Sequence, residues 1–248
     1  MSQSSVPLSL PGKLAAVAPT VSLPGVLRYQ VLTGSRAYGL AGPDSDEDWR
    51  GFYQLSNEML WGLGQLPPET VALPPDQVYW ELRRFVRLCL AGNPNLIPLL
   101  WVEPEFVALT SPLAEALRRR RQRFFSDAMV RAYLGWAQSE RLMLTRDPAE
   151  QGSGRRLELA GKPGSHLVRI LLNLRGALRD EQMQVRLAGS ELELVRSIKA
   201  GEMAAVAVLE WVRAIEGECA ALAERRAWGP VDPAPFEALL LAARRGEL

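Results

Sequence analysis

The chain is poor in the residues that build metal clusters and disulfide scaffolds, with two cysteines and one histidine in 248 residues. Cys89 and Cys219 are far apart, each inside an apolar helical pattern. They read as reduced core thiols, which argues against a disulfide framework and a cysteine zinc site. An excess of charge is missing too: 29 Lys plus Arg against 28 Asp plus Glu leave a formal net charge of +1. No global field is available to hold a nucleic-acid backbone, so any such contact must be local. No uncharged apolar run reaches the roughly 18 residues of a spanning helix, and no membrane partner is expected. The first 27 residues lack a cationic start, and Pro7, Pro11, Pro19 and Pro24 interrupt every apolar run before a signal segment can form. Residues 1–25 therefore read as a flexible arm, and the chain as cytoplasmic. Internal repeats and low-complexity tracts are also absent.

What is present is a core. Apolar residues make up 48% of the chain and charged ones 23%, the profile of a folded globular protein. Val26 to Thr33 has strand composition and runs into Gly34-Ser35, where a helix can open. A Gly- and Pro-containing loop follows, and Asp46 to Leu55 reads as the next strand. Gly62 to Pro75 carries no clear pattern, Gln77 to Trp80 reads as a third strand, and Glu81 to Leu90 as a helix. From Ser111 onward the apolar residues recur at helical spacing, predicting helices over 112–125, 128–145, 165–178, 191–200, 202–226 and 235–245. The expected architecture is α+β, with a small mixed sheet and flanking helices over 26–110 and an α-helical lobe over 111–248.

The informative constellation lies near the start. After Gly34-Ser35, ten intervening residues lead to Asp46-Glu47-Asp48. In a strand, residues two apart share a face, so Asp46 and Asp48 would present two carboxylates side by side. Hard oxygen ligands of this kind suit magnesium, with manganese as its natural substitute, held together with substrate phosphates. Two such ions would clamp the attacking and leaving oxygens of an in-line displacement. Gly34 lets backbone approach a phosphate, and Ser35 offers a hydroxyl and an N–H at a helix start. A run such as DSDED is by itself usually a solvated loop; the Gly-Ser at the end of a strand gives it a catalytic reading.

The stretch TGSRAYGLAGPDSDEDWRGFY, Thr33 to Tyr53, resembles the signature of the DNA polymerase beta superfamily of nucleotidyltransferases, and most of all its bacterial and phage branch. A second block, DQVYWELRRFVRLCLAGNPNLIPLLW from Asp76 to Trp101, and a third, GKPGSHLVRILL from Gly161 to Leu172, are similar to later segments of that branch. The chain departs from the pattern at Pro98, where an acidic residue is expected, and at Arg84, where Lys is usual. The resemblance implies nucleotidyl transfer from an NTP, ATP among the candidates, with pyrophosphate leaving. It implies a third carboxylate that completes the metal site and helps deprotonate the acceptor, for which Asp76 occupies the matching position and Glu81 is the alternative.

Other signals are weaker. On a helix, His166 shares a face with Arg169, with Lys162 just ahead, opposite a leucine stripe. Arg36, Lys162, His166 and Arg169 are expected to contact the triphosphate or an acceptor phosphate, since Lys and Arg bind phosphate and a protonated His donates to it. The run Arg118 to Arg121 with Arg123 fans around a helix and reads as a solvated face. RNA, a protein side chain and a small molecule all remain open as acceptors, and nothing opposes an oligomer. A nucleotide-binding regulator or antitoxin-like partner without turnover is the rival reading, which the retention of all three carboxylates disfavours.

Overall fold

The computed structural model describes residues 18–145 and 159–248. The chain forms a mixed α+β fold, as expected from the sequence. Its described residues divide into two compact units, one comprising residues 18–90, 95–123 and 232–248 and the other 91–94, 124–145 and 159–231.

The first unit is built on a five-stranded sheet. Its elements in chain order are β1 (Val26–Leu32), the one-turn α1 (Gly34–Ala37), β2 (Trp49–Gln54), α2 (Asn57–Trp61), β3 (Thr70–Leu73), β4 (Gln77–Glu81), α3 (Leu82–Leu90), β5 (Val107–Leu109) and α4 (Pro112–Arg119). The strands are ordered β3-β4-β2-β1-β5. Only β2 and β4 run parallel, with Trp49 opposite Gln77; the other neighbours are antiparallel. Alternation sorts the residues of β2 between faces. Phe52 stacks between Tyr29 and Phe85, at centroid distances of 5.6 and 4.9 Å. On the opposite face, Tyr53 joins Leu55 and Tyr79 in a cluster that Val21 and Leu23 cover. Gly51, just ahead of them in β2, is required because a Cβ there would stand 1.9 Å from the Tyr29 carbonyl oxygen.

Several elements differ from expectation. The patternless stretch over 62–75 contains the edge strand β3, and a second edge strand, β5, forms from three residues. Of the arm expected over 1–25, Ala18, Val21 and Leu23 pack on the sheet; its first 17 residues lie outside the described residues. The sheet unit also takes in α4 and the last helix, both assigned from sequence to the helical lobe. That last helix, residues 234–244, is held by polar clasps: Gln54 donates to the Ala243 carbonyl (3.1 Å), Asn57 to that of Arg244 (2.7 Å), and Arg244 to that of Leu55 (2.9 Å).

The arginine run is a solvated face only in part: Arg119 and Arg123 are exposed, whereas Arg118 and Arg121 reach inward. Arg118 donates to the Val102 carbonyl (3.1 Å) and the Tyr29 hydroxyl (3.3 Å). Arg121 donates to the Leu100 carbonyl (3.1 Å) and lies over the Trp101 ring (5.0 Å). Both satisfy buried carbonyls of the irregular segment after α3, a use no local pattern announces.

The second unit contains α5 (Asp127–Thr145), α6 (Lys162–Asp180), α7 (Gly189–Ala200) and α8 (Ala205–Arg226); α9 (Ala234–Arg244) is the clasped helix of the first unit. Helix α6 packs against α5, α7 and α8 and carries the leucine stripe foreseen for it, with Leu167, Leu171, Leu174 and Leu178 buried. Arg175 is ion-paired with Glu191 and Glu218. Cys89 and Cys219 are buried free thiols, and burial pushes both up, Cys219 to about 12. Among the described residues no helix is long and apolar enough to cross a membrane.

Candidate active site

The site forms where β1 runs out. Gly34 has φ +63°, a left-handed conformation that turns the chain from the strand into α1. Before it turns away, Thr33 donates its N–H to the Asp48 carbonyl (2.8 Å), and Trp49 donates to that of Asp76 (3.0 Å). These bonds bring Asp48 and Asp76 side by side, each one residue ahead of the paired Trp49 and Gln77. A Cβ on Gly34 would lie 1.7 Å from Asp48 Oδ2, so glycine is needed for both its backbone angle and the space it leaves.

Arg50 joins the two carboxylates. Its Nη2 is 2.8 Å from Asp76 Oδ1 and 3.4 Å from Asp48 Oδ1. Its Nη1 donates to the carbonyls of Asp76 (2.8 Å) and Trp49 (3.0 Å). The guanidinium is thus anchored to backbone on one side and faces both anions on the other.

The expected strand over 46–55 begins late. Asp46 and Asp48 precede β2, which starts at Trp49, because its partner β1 has already turned off at Gly34 and offers no ladder to pair with. Asp46 is exposed in this extended stretch. Arg36 donates to the Ser45 carbonyl (3.0 Å) and faces Glu47 (3.8 Å), bracing the acidic loop. Ser35 lies in α1, and its carbonyl accepts from the N–H of Leu40 (2.8 Å).

Among the described residues no three acidic, histidine or cysteine side chains converge as a metal-holding group. A pair does. Asp48 and Asp76 both turn a hard oxygen to one cationic nitrogen, and the missing Cβ of Gly34 lets Asp48 Oδ2 pack against its backbone. Magnesium is commonly held by one or two carboxylates with substrate phosphates and water completing its shell, so this pair fits it.

Glu81 is differently occupied. It is 3% exposed at the far end of β4 from Asp76. Its Oε2 accepts from the N–H groups of Arg83 (2.7 Å) and Arg84 (3.3 Å), capping α3, and its Oε1 pairs with Arg244 (2.7 Å).

This geometry sits inside a match that spans most of the chain: residues 13–199 fit the model of the RNA repair pathway DNA polymerase beta family. The chain belongs to that family. It is a nucleotidyltransferase-like protein of the DNA polymerase beta superfamily. A protein of Bacillus subtilis (strain 168) named "Uncharacterized protein YcgL" is 34% identical over 116 residues, 44% of this chain and 43% of that protein. The aligned part therefore spans less than half the length of that relative. No solved structure matches.

The match to the RNA repair pathway DNA polymerase beta family also covers the block with Lys162, His166 and Arg169, which lies in the second unit. Lys162 is the first residue of α6 rather than preceding it. Arg169 Nη2 donates to His166 Nδ1 (2.7 Å), which leaves the ring proton on Nε2, and the ring meets Trp136 edge-on at 5.2 Å. Burial, reinforced by the Arg169 charge, lowers His166 to about 4. In this arrangement the ring is neutral and accepts from Arg169.

A hollow of about 610 Å³, lined by Pro24, Met59, Leu66 and Pro67 among others, opens near the start of β1, the end opposite Gly34. None of the candidate residues lines it. Sequence reasoning missed Arg50 as a site residue, because its tie to Asp76 depends on the pairing of β2 with β4.

Proposed function

We propose that this protein transfers a nucleoside monophosphate from an NTP to a hydroxyl at an RNA end. The observation that carries this reading is the Asp48 and Asp76 pair, packed against the backbone of Gly34 and faced by Arg50. The family's description, an RNA repair pathway, supports RNA as the acceptor.

The acceptor hydroxyl oxygen attacks the α-phosphorus. A new P–O bond forms, the bond from the α-phosphorus to the oxygen bridging the β-phosphate breaks, and pyrophosphate leaves with that electron pair. Asp76, the more exposed of the pair at 46% against 24%, accepts the hydroxyl proton. Asp48 and Asp76 would hold magnesium or manganese. When bound, the ion supplies positive charge against the phosphoryl oxygens and lowers the pKa of the attacking hydroxyl. Gly34 and Ser35 bind the triphosphate through backbone N–H groups, while Arg36 keeps the acidic loop in place for it. In the second unit, Lys162 and the Arg169 guanidinium oriented by His166 bind phosphate.

The test is incubation of the protein with each α-phosphate-labelled NTP, magnesium, and separate RNA, protein and small-molecule fractions. Label that enters RNA and is released by ribonuclease supports the reading. Label confined to another fraction refutes the RNA acceptor, and none in any fraction favours the nucleotide-binding regulator.

A further inference from the structure

Arg50 has no role in the chemistry just described, yet its guanidinium contacts both carboxylates. Four contacts fix it: two backbone carbonyls at 2.8 and 3.0 Å on Nη1, and two carboxylate oxygens at 2.8 and 3.4 Å on Nη2. Such an arrangement does more than neutralise a surface pair, because a guanidinium tied to backbone on one edge cannot swing away as a free side chain would. Its charge stays beside the pair whether or not a second cation is present.

We infer that Arg50 is a resident counter-ion of the site, a positioning residue that pre-aligns Asp48 and Asp76 for turnover while holding down their affinity for a divalent cation. The inference rests on the proposed reaction only in assigning Asp48 and Asp76 to the cation. Two effects oppose each other when Arg50 is removed. Losing the alignment frees two short side chains and weakens cation binding by a few-fold, as an order of magnitude. Losing a unit positive charge at about 4 Å from a doubly charged ion strengthens binding by about thirtyfold, even at the permittivity of water. The charge effect wins, and the net result is a gain in cation affinity of about tenfold. Turnover moves the other way, because the carboxylates lose the geometry that a displacement requires.

A purely structural arginine gives a different signature. If Arg50 only ties β4 to β2, its loss loosens the end of the sheet and lowers both cation affinity and melting temperature, with no gain anywhere.

The experiment is calorimetric titration of the full-length protein with manganese alone, without nucleotide, alongside thermal melts and label transfer. Arg50→Gln is expected to bind manganese about tenfold more tightly than the parent and to lose turnover by about a hundredfold. Arg50→Lys keeps the charge but cannot bridge two carbonyls and two carboxylates, so it should bind manganese within about threefold of the parent while turnover still falls. Should Arg50→Gln prove unfolded by its melt, Arg50→Lys decides: affinity lowered by tenfold or more overturns the inference. Parental or weaker affinity in a folded Arg50→Gln also overturns it. Asp48→Asn separates the levels. If the parent binds manganese and Asp48→Asn does not, yet Arg50→Gln leaves affinity unchanged, only the counter-ion role fails; if the parent binds none, the assignment of the carboxylates to a cation fails with it.

Discussion

Replacing Gly34 with alanine should separate the stability of the fold from the working geometry of the site. Two costs are built into that position. The residue sits at φ +63°, where an L side chain is strained by about 1 to 2 kcal/mol. The added Cβ would also stand 1.7 Å from Asp48 Oδ2, whereas an unstrained contact needs about 3.5 Å. The carboxylate must therefore retreat by nearly 2 Å, away from the place where it meets Arg50. Overpacking of this kind adds about 1 kcal/mol or more, for a total near 2 to 3 kcal/mol and a fall in Tm of roughly 5 to 10 °C. The effect on rate should be far larger, because a misplacement of about 1 Å can cost a hundredfold. Thermal melts and transfer from α-labelled NTP measure the two. Gly42→Ala, in the loop that follows α1, is the control, since a Cβ there meets nothing within 4 Å, and it should change neither. A readout independent of catalysis is the double variant Gly34→Ala with Asp48→Ala. Removing the carboxylate makes room for the new methyl, so the two substitutions should be less destabilising together than the sum of each alone, by about 1 kcal/mol. Full turnover in Gly34→Ala, or strict additivity in the double variant, would refute the packing argument.

His166, lowered from 6.5 to about 4, binds fewer protons folded than unfolded between those values. Its contribution is therefore complete above pH 6.5 and lost as pH falls to about 4, roughly 3 kcal/mol in all. Denaturant titrations across that range should show this loss in the parent relative to His166→Gln, and activity between pH 5.5 and 7.5 should have the same pH profile in both. Equal acid sensitivity of stability would contradict the burial assigned to the ring. Asp76→Asn should cost orders of magnitude in rate with little change in Tm, whereas Glu81→Gln, which removes the anion facing Arg244, should cost about 2 to 4 kcal/mol with kcat within a few-fold. The reverse pattern in melts and kinetics would move the site to Glu81. Arg118→Met should destabilise by about 1 to 2 kcal/mol through the Val102 carbonyl it leaves unpaired, without weakening RNA binding in a filter assay. A selective loss of RNA binding would restore the arginine run as a contact surface.

The helices were legible because each carries its own apolar period, and α3, α5, α6 and α9 lie within a few residues of where that period places them. The edge strands were not. β3 is four residues between Pro67-Pro68 and Pro74-Pro75, and β5 is three, so both exist through pairing with β4 and β1 and not through local preference. The same non-locality shifted the start of β2, which depends on where β1 ends. At the site, Gly34 and Asp48 could be read because they lie in one short motif. The tie from Arg50 to Asp76 depends on the parallel pairing of β2 with β4, and the pairing of Glu81 with Arg244 on the return of α9 to the sheet. Neither leaves a trace in local spacing.

In the proposed reaction the Asp48 carboxylate serves nucleotidyl transfer. The most direct test of that role is label transfer from α-phosphate-labelled NTP to RNA by the parent and by Asp48→Asn, at matched concentration and with the fold of each checked by its melt. The parent should label RNA in the presence of magnesium, and the folded variant should fall by at least about a thousandfold. Equal labelling by the two proteins would contradict the claim.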